Sequence, residues 1–358
     1  MGERPSEHSQ IEQQNLEKPS ENESPIKWYK TLEYLKTVYP ELDLESLQPA
    51  ITEIIQRSRN TKDKVVDVSD ICRRHNIEKV VVVENLCLLA FNARIAAELI
   101  KRYPKGNAHS IEIDGGGVII THGASSLIAD NILHFEYLET GKSETQQWLE
   151  TSGKAGHNWD SYLKFMLEAL KNDPETRKIL EERSNDPDET VKDRAVALLK
   201  LLEGNNIDEY KEWIKSKVDG KILKGDIFKR NFGQDPSLLK DKADVTDASN
   251  RAVFFDLVSS NFTSESATNK KAQWFRGMIN LADSVKPGGH LILTACLEAN
   301  HYFVDKEEMP AVPVNSENIR KLLSDKGFDI VFEQETTQDS DPSLGYQKLG
   351  FFFAQKKS

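Results

Sequence analysis

Apolar and polar positions alternate most densely between residues 108 and 137, with the two-residue period of a half-buried strand. Ser110-Ile111-Glu112-Ile113 reads as a strand and Asp114-Gly115-Gly116-Gly117 as a turn. Residues 118–126 form a short helix or loop, residues 131–137 a second strand, and residues 140–150 a helix. Strand, glycine turn, helix and strand make a βαβ unit, the crossover that a parallel pair of strands requires.

The last third of the chain repeats this order. Residues 252–259 read as a strand, 270–284 as a helix, Lys286-Pro287-Gly288-Gly289 as a tight turn, and 290–295 as a strand. A helix over 315–326 is capped by Asn315 or Ser316 and ended by Gly327. Residues 328–333 and 349–354 close the chain as two strands, expected to pair as an antiparallel edge, and residues 221–225 suit one more short strand. Between the two α/β stretches, residues 158–217 are helical throughout. Trp159, Tyr162, Phe165, Met166 and Leu170 form one apolar stripe; Val191, Ala195, Leu198 and Leu199 form another. Residues 171–189 are charged and interrupted by proline, and are expected to face solvent.

Ahead of the first strand the period is helical. Trp28, Leu32, Leu35 and Val38 share one face of a helix ended by Pro40. Residues 47–55 predict a second helix with Pro49 in its first turn. Residues 65–75 are ambiguous, with Ser69 available to cap a short helix. Residues 80–83 are four valines, strand-like by propensity, yet they run directly into a helix over 84–103 that stops at Pro104-Lys105-Gly106. The pattern predicts an α/β protein built on a doubly wound, mostly parallel sheet. A helical segment over 25–106 precedes a domain over 107–358, which carries a helical insertion near 158–217.

Composition adds boundaries. Residues 1–24 are rich in Glu, Ser, Gln, Asn and Pro, offer little to bury, and predict a disordered tail. No run of 18 apolar residues is present, so no membrane partner is expected. The polar, acidic start lacks the features of a signal peptide, which makes the cytoplasm the default location. A net charge of −11 disfavours nucleic acid as a partner. Cys72, Cys87 and Cys296 are odd in number and far apart, which suits buried small residues rather than a disulfide framework or a zinc cluster. His122 and His134 are separated by the short helix and joined by no cysteine, so no metal site is expected. The H-E-x-x-H, G-x-S-x-G and zinc-deaminase signatures are absent. Nothing in the composition fixes the oligomeric state.

Glycines directly after a strand let the backbone turn tightly and approach a ligand, and free N–H groups at the next helix start can meet it. Glu136 ends the second strand about twenty residues later, where open α/β sheets bind ligands. A carboxylate there can accept hydrogen bonds from two ribose hydroxyls. The third spaced glycine of G-x-G-x-x-G is missing and no G-x-x-x-x-G-K-[ST] string occurs, which favours a nucleoside cofactor without phosphates.

Residues 108–333 resemble the class I methyltransferase family that includes nicotinamide, phenylethanolamine and indolethylamine N-methyltransferases. Ile111-Glu112-Ile113-Asp114-Gly115-Gly116-Gly117, residues 132–137 and Gln147-Trp148-Leu149 carry the resemblance most clearly. Glu112 stands where the family's first motif has an acid, Glu136-Tyr137 where an acid-Tyr pair follows the second strand, and Asn158-Trp159 where the family has Asp-Trp. Asp226-Ile227, residues 255–261, Lys286-Pro287-Gly288-Gly289-His290-Leu291, and His301-Tyr302 through Met309-Pro310-Ala311-Val312-Pro313-Val314 match later landmarks in order. Three positions depart: Asp114 replaces a glycine, Gly116-Gly117-Val118 replaces Gly-Pro-Thr, and Ala295 stands where the family has an acid, with Glu298 nearby.

The resemblance implies a Rossmann-like methyltransferase fold, S-adenosylmethionine as cofactor, and methyl transfer to a small-molecule acceptor, an amine or heteroaromatic nitrogen. Glu112, Asp114, Gly115 and Gly116 would meet the methionyl end of the cofactor, Glu136 and Tyr137 the ribose, and Asp226 and Ile227 the adenine. Ser259 would line the same cleft at the fourth strand. Asn261, Tyr302 and Glu298 would face the acceptor. The departure at Asp114 leaves one alternative, a degenerate methyltransferase fold that binds or regulates without turnover. An oxidoreductase on a similar sheet is a weaker third possibility.

Overall fold

The computed structural model describes residues 35–60, 78–114, 121–136, 139–153, 159–224, 226–228, 254–304, 307–337 and 345–358. Seven strands form one sheet: β1 (His109–Asp114), β2 (Asn131–Glu136), β3 (Val218–Lys224), β4 (Phe255–Asn261), β5 (Val285–Leu297), β8 (Phe328–Thr337) and β9 (Lys348–Lys356). Their order is β3-β2-β1-β4-β5-β9-β8. The first five run parallel, while β9 is antiparallel to both β5 and β8. The strand order reverses between β1 and β4, the switch point outside which α/β sheets bind ligands.

Each strand of the βαβ unit feeds two cores. Ile111 and Ile113 of β1, with Leu133 and Phe135 of β2, join Trp274, Met278 and Leu281 of α9 (Lys271–Ser284) and Ile319 and Leu323 of α10 (Ser316–Asp325). The alternate positions Ser110, Glu112, Ile132, His134 and Glu136 share the opposite face, because successive strand side chains point to opposite sides. That face is covered by α2 (Glu78–Arg102), α3 (His122–Ser126), α5 (Asp160–Asn172), α7 (Glu189–Gly204) and α8 (Ile207–Lys217), which share one apolar core. Helix α1 (Leu44–Asn60) packs on α5 and α2, and α4 (Glu139–Thr151) packs beside β2 and β3. Thus the N-terminal helices and the helical insertion meet in a single core. The doubly wound α/β architecture read from the sequence is the one observed.

The differences are local. The four valines at 80–83 lie inside α2, because a long helix that buries Leu86, Leu89, Phe91 and Leu99 outweighs strand propensity. Helix α1 starts three residues earlier than its apolar pattern predicts, since the Asp43 carboxylate accepts the Glu45 and Ser46 amides at 3.1 and 3.3 Å. Pro49 therefore falls in the second turn. The Lys286-Pro287-Gly288-Gly289 turn is absorbed into β5 as an irregularity in its pairing with β4. Gly288 takes φ +77°, and a Cβ on Gly289 would lie 2.9 Å from the Asp256 carbonyl oxygen. The charged stretch at 171–189 is not wholly solvent-facing: α6 (Pro174–Arg183) buries Ile179 and Leu180. Residues 301–310, to which the sequence pattern assigns no element, form a separate hairpin of β6 (His301–Val304) and β7 (Glu307–Pro310). At the chain's end, Asn315 caps α10 by accepting the Asn318 amide at 3.0 Å, and Gly327 follows at φ +76°.

The tail at 1–24, Trp28, Leu32, the helix proposed around Ser69, Cys72, the turn Gly115-Gly116-Gly117, Tyr137 and Asn158 lie outside the described residues. For Asp114 and Tyr302 the backbone is described and the side chain is not. Of the remaining cysteines, Cys87 is buried and Cys296 partly so, and neither is bonded to another cysteine.

Candidate active site

The pairing register brings the carboxyl ends of four strands level. Asp114 lies opposite Glu136, Ile113 opposite Ser260, and Asn261 opposite Thr294. Glu112 and Glu136 are both fully buried on the face covered by α3. Ser125 of α3 donates its hydroxyl to Glu112. Glu136 lies 3.5 Å from the ring of His134, which burial holds neutral by depressing its pKa to about 3. His122 and His134, kept apart in sequence by a helix, are thus stacked in space, with α3 beginning at His122. Among the described residues no cluster of three metal-ligating side chains occurs.

Asp226 and Ile227 follow β3. The Asp226 carboxylate accepts the Phe228 amide at 2.9 Å, and Ile227 is buried against the β1–β2 core. Ser259 and Asn261 end β4 and are buried; the Asn261 amide donates to Ser259 at 3.0 Å and accepts from Thr294 at 3.2 Å. The Asn261 carbonyl oxygen therefore joins β4 to β5, while its amide nitrogen bonds within β4. Phe262 and Glu298, just past the ends of β4 and β5, both adopt left-handed backbone at φ +51° and +56°. Such conformations cost non-glycine residues free energy and cluster at functional sites. The Glu298 amide donates to Val314 at 2.6 Å, tying the end of β5 to the segment before α10. Tyr302 lies in β6, level with Met309.

Two carboxyls stand out that the sequence reading did not single out. Glu265, in the turn after β4, is buried; its oxygens accept the Cys296 amide at 2.7 Å and the Ser264 hydroxyl at 3.1 Å. Burial pushes its pKa up to about 7 against the lowering effect of those bonds. Glu84, on α2, accepts the Tyr346 hydroxyl and is likewise pushed up to about 7, first by burial, with Glu265 adding repulsion. The signal for Glu265 was positional, an acid four residues past Asn261 at a strand's carboxyl end. Glu84 gave none, because it approaches Glu265 from a helix far away in sequence.

Residues 185–357 match the model of the NNMT/PNMT/TEMT family. The chain is 41% identical over 82 residues to indolethylamine N-methyltransferase of Oryctolagus cuniculus, which covers 22% of this chain and 30% of that protein. It is 29% identical over 75 residues to phenylethanolamine N-methyltransferase of Homo sapiens, covering 21% of this chain and 27% of that one. The chain thus spans less than a third of the length of these relatives. Among solved structures it is similar to magnesium protoporphyrin IX methyltransferase of Synechocystis PCC 6803, at TM-score 0.39 and 11% identity over 86% of this chain and 97% of that chain.

Proposed function

We propose that this protein transfers a methyl group from S-adenosylmethionine to a small-molecule acceptor, an amine or heteroaromatic nitrogen. The observation that carries this is the placement of Glu136, buried at the carboxyl end of β2 beside the switch point of the sheet. The donor set fits the cofactor. The side chains described at the ends of β1, β2 and β4 are carboxylates, hydroxyls and an amide, suited to ribose hydroxyls and an ammonium group rather than to phosphates. Glu136 and Tyr137 would hold the ribose, Asp226 and Ile227 border the adenine, and Glu112, Asp114, Gly115 and Gly116 meet the methionyl end, with Ser259 alongside.

S-adenosylmethionine, when bound, supplies an electrophilic methyl on a cationic sulfur. The chain's own contribution is placement, since holding two reactants in line supplies much of the barrier reduction in such a transfer. Asn261, Glu298 and Tyr302 stand on the acceptor side. Glu265 and Glu84 lie there too, and carboxyls titrating near neutrality suit an amine acceptor. A carboxylate pairs with the ammonium form and can accept the proton that the nitrogen sheds.

No helix among the described residues is long and apolar enough to cross a membrane. We read the protein as a cytoplasmic enzyme with a small-molecule partner, its helical segment over 25–106 preceding the methyltransferase domain over 107–358. Calorimetric titration tests the cofactor directly. S-adenosylhomocysteine is expected to bind at micromolar strength and NAD not at all; tighter binding of NAD would overturn the assignment. Transfer of a labelled methyl group to a panel of amines then separates turnover from a binding module without catalysis.

A further inference from the structure

His134 stands two residues before Glu136 on the same face of β2, and its side chain is fully buried. Its Nε2 lies 3.5 Å from Glu136 Oε2, and its Nδ1 lies 3.0 Å from Nε2 of His122. The two rings stack with centroids 4.8 Å apart. His122 Nδ1 in turn faces the Thr121 hydroxyl at 3.4 Å, and both of these side chains are buried.

The far end of this chain sets its direction. With the Glu136 oxygen as the acceptor of this contact, the single proton of a neutral His134 sits on Nε2 and its Nδ1 accepts. His122 must then donate from Nε2, and its Nδ1 accepts from Thr121. Every donor points toward Glu136. The same short helix, α3, also carries Ser125, which donates to Glu112. One buried turn of helix therefore supports the acids at the ends of both β1 and β2.

We propose that His134, oriented by His122, is a positioning residue that holds the Glu136 carboxylate in the orientation required by the two ribose hydroxyls of the cofactor. This rests on the cofactor assignment above. His134 touches neither the methyl group nor the acceptor; it acts through Glu136. Without the His134 contact, Glu136 would present its oxygens to the ribose in the required orientation less often, and cofactor affinity would fall.

The test compares His134→Phe, which keeps a ring and removes the donor, with His134→Gln, whose amide can still donate. The Phe variant is expected to bind S-adenosylhomocysteine about tenfold more weakly, the loss of one hydrogen bond to a charged group. The Gln variant should stay within about threefold of wild type, since it restores that bond. In the wild-type protein, nitrogen NMR should show both His122 and His134 as Nε2–H tautomers, with the His134 signal moving when S-adenosylhomocysteine is added. A folded His134→Phe that binds as tightly as wild type overturns the positioning role and leaves the cofactor assignment standing. A wild-type protein that takes up no S-adenosylhomocysteine overturns both. If the Phe variant does not fold, the tautomer decides: a proton on Nδ1 of His134 overturns the proposal.

Discussion

At the scale of single residues, the site rests on carboxylates taken out of water, and burial dictates what each can do. Glu136 is the simplest to test. Glu136→Ala is expected to weaken S-adenosylhomocysteine binding while the protein stays folded, since two hydrogen bonds to ribose are lost at about 1.5–3 kcal/mol each at most, and water replaces part of them. Affinity measured beside a melting curve decides; unchanged affinity in a folded variant removes Glu136 from the site. Asp114 poses the opposite question. Its backbone lies level with Glu136 where the resembled family has glycine. A carboxylate approaching the cofactor's own carboxylate would be repelled, although the cofactor's amino group would attract it. Asp114→Gly is expected to strengthen S-adenosylmethionine binding a few-fold. Equal affinity would mean that the side chain plays no part, and weaker binding that Asp114 ligates the amino group. Glu112 was legible because its strand runs directly into a glycine turn, and Glu136 because it ends the next strand of the same βαβ unit. Glu265, Glu84 and the His122–His134 pair were not, because their significance lies in burial and in contacts between distant segments, which no local pattern encodes.

At the scale of elements, periodicity located most helices and strands. It failed where tertiary burial outweighed propensity, as in the valines of α2, and where a partner strand was needed to define structure, as in the β6–β7 hairpin. Capping was readable at Asn315 but not at Asp173. The latter caps α6 by accepting the Thr176 amide at 2.7 Å, and it also accepts the hydroxyl of Tyr39 from the N-terminal segment. Asp173 thus joins the helical insertion to the helices ahead of the sheet. Asp173→Ala is expected to cost about 1–2 kcal/mol for the cap, plus about 1–3 kcal/mol for a buried hydroxyl left unpaired. Tyr39→Phe should lose less, because it removes both the donor and its need for a partner. Urea denaturation of both variants checks the order. S-adenosylhomocysteine affinity should be unchanged in either, since Asp173 lies in the helical layer.

Across the whole molecule, buried titratable groups make stability depend on pH in two opposing ways. Glu265 has an ordinary value of 4.5 and is pushed up to about 7 in the folded protein, chiefly by burial. The folded state therefore holds its proton more tightly than the unfolded one. Its contribution to stability is fully present below 4.5 and is lost as pH rises through about 7. His134 and His290, ordinarily near 6.5, are depressed by burial to about 3 and about 4, so each must be kept neutral to stay buried. Their contributions are fully present above 6.5 and are lost as pH falls toward those folded values. The two tendencies oppose each other between 4.5 and 6.5, so the wild-type profile alone does not separate them. Glu265→Gln does. An amide keeps the shape and can still accept the Cys296 amide hydrogen, but it does not titrate. Relative to wild type, the variant should gain stability as pH rises from about 5 to about 8, by on the order of 3 kcal/mol at most. Urea denaturation at the two pH values measures the change. A difference between the proteins that stays constant with pH would show that the Glu265 carboxyl is ionised in the folded state throughout, and that it is not the group whose burial opposes the rise to alkaline pH.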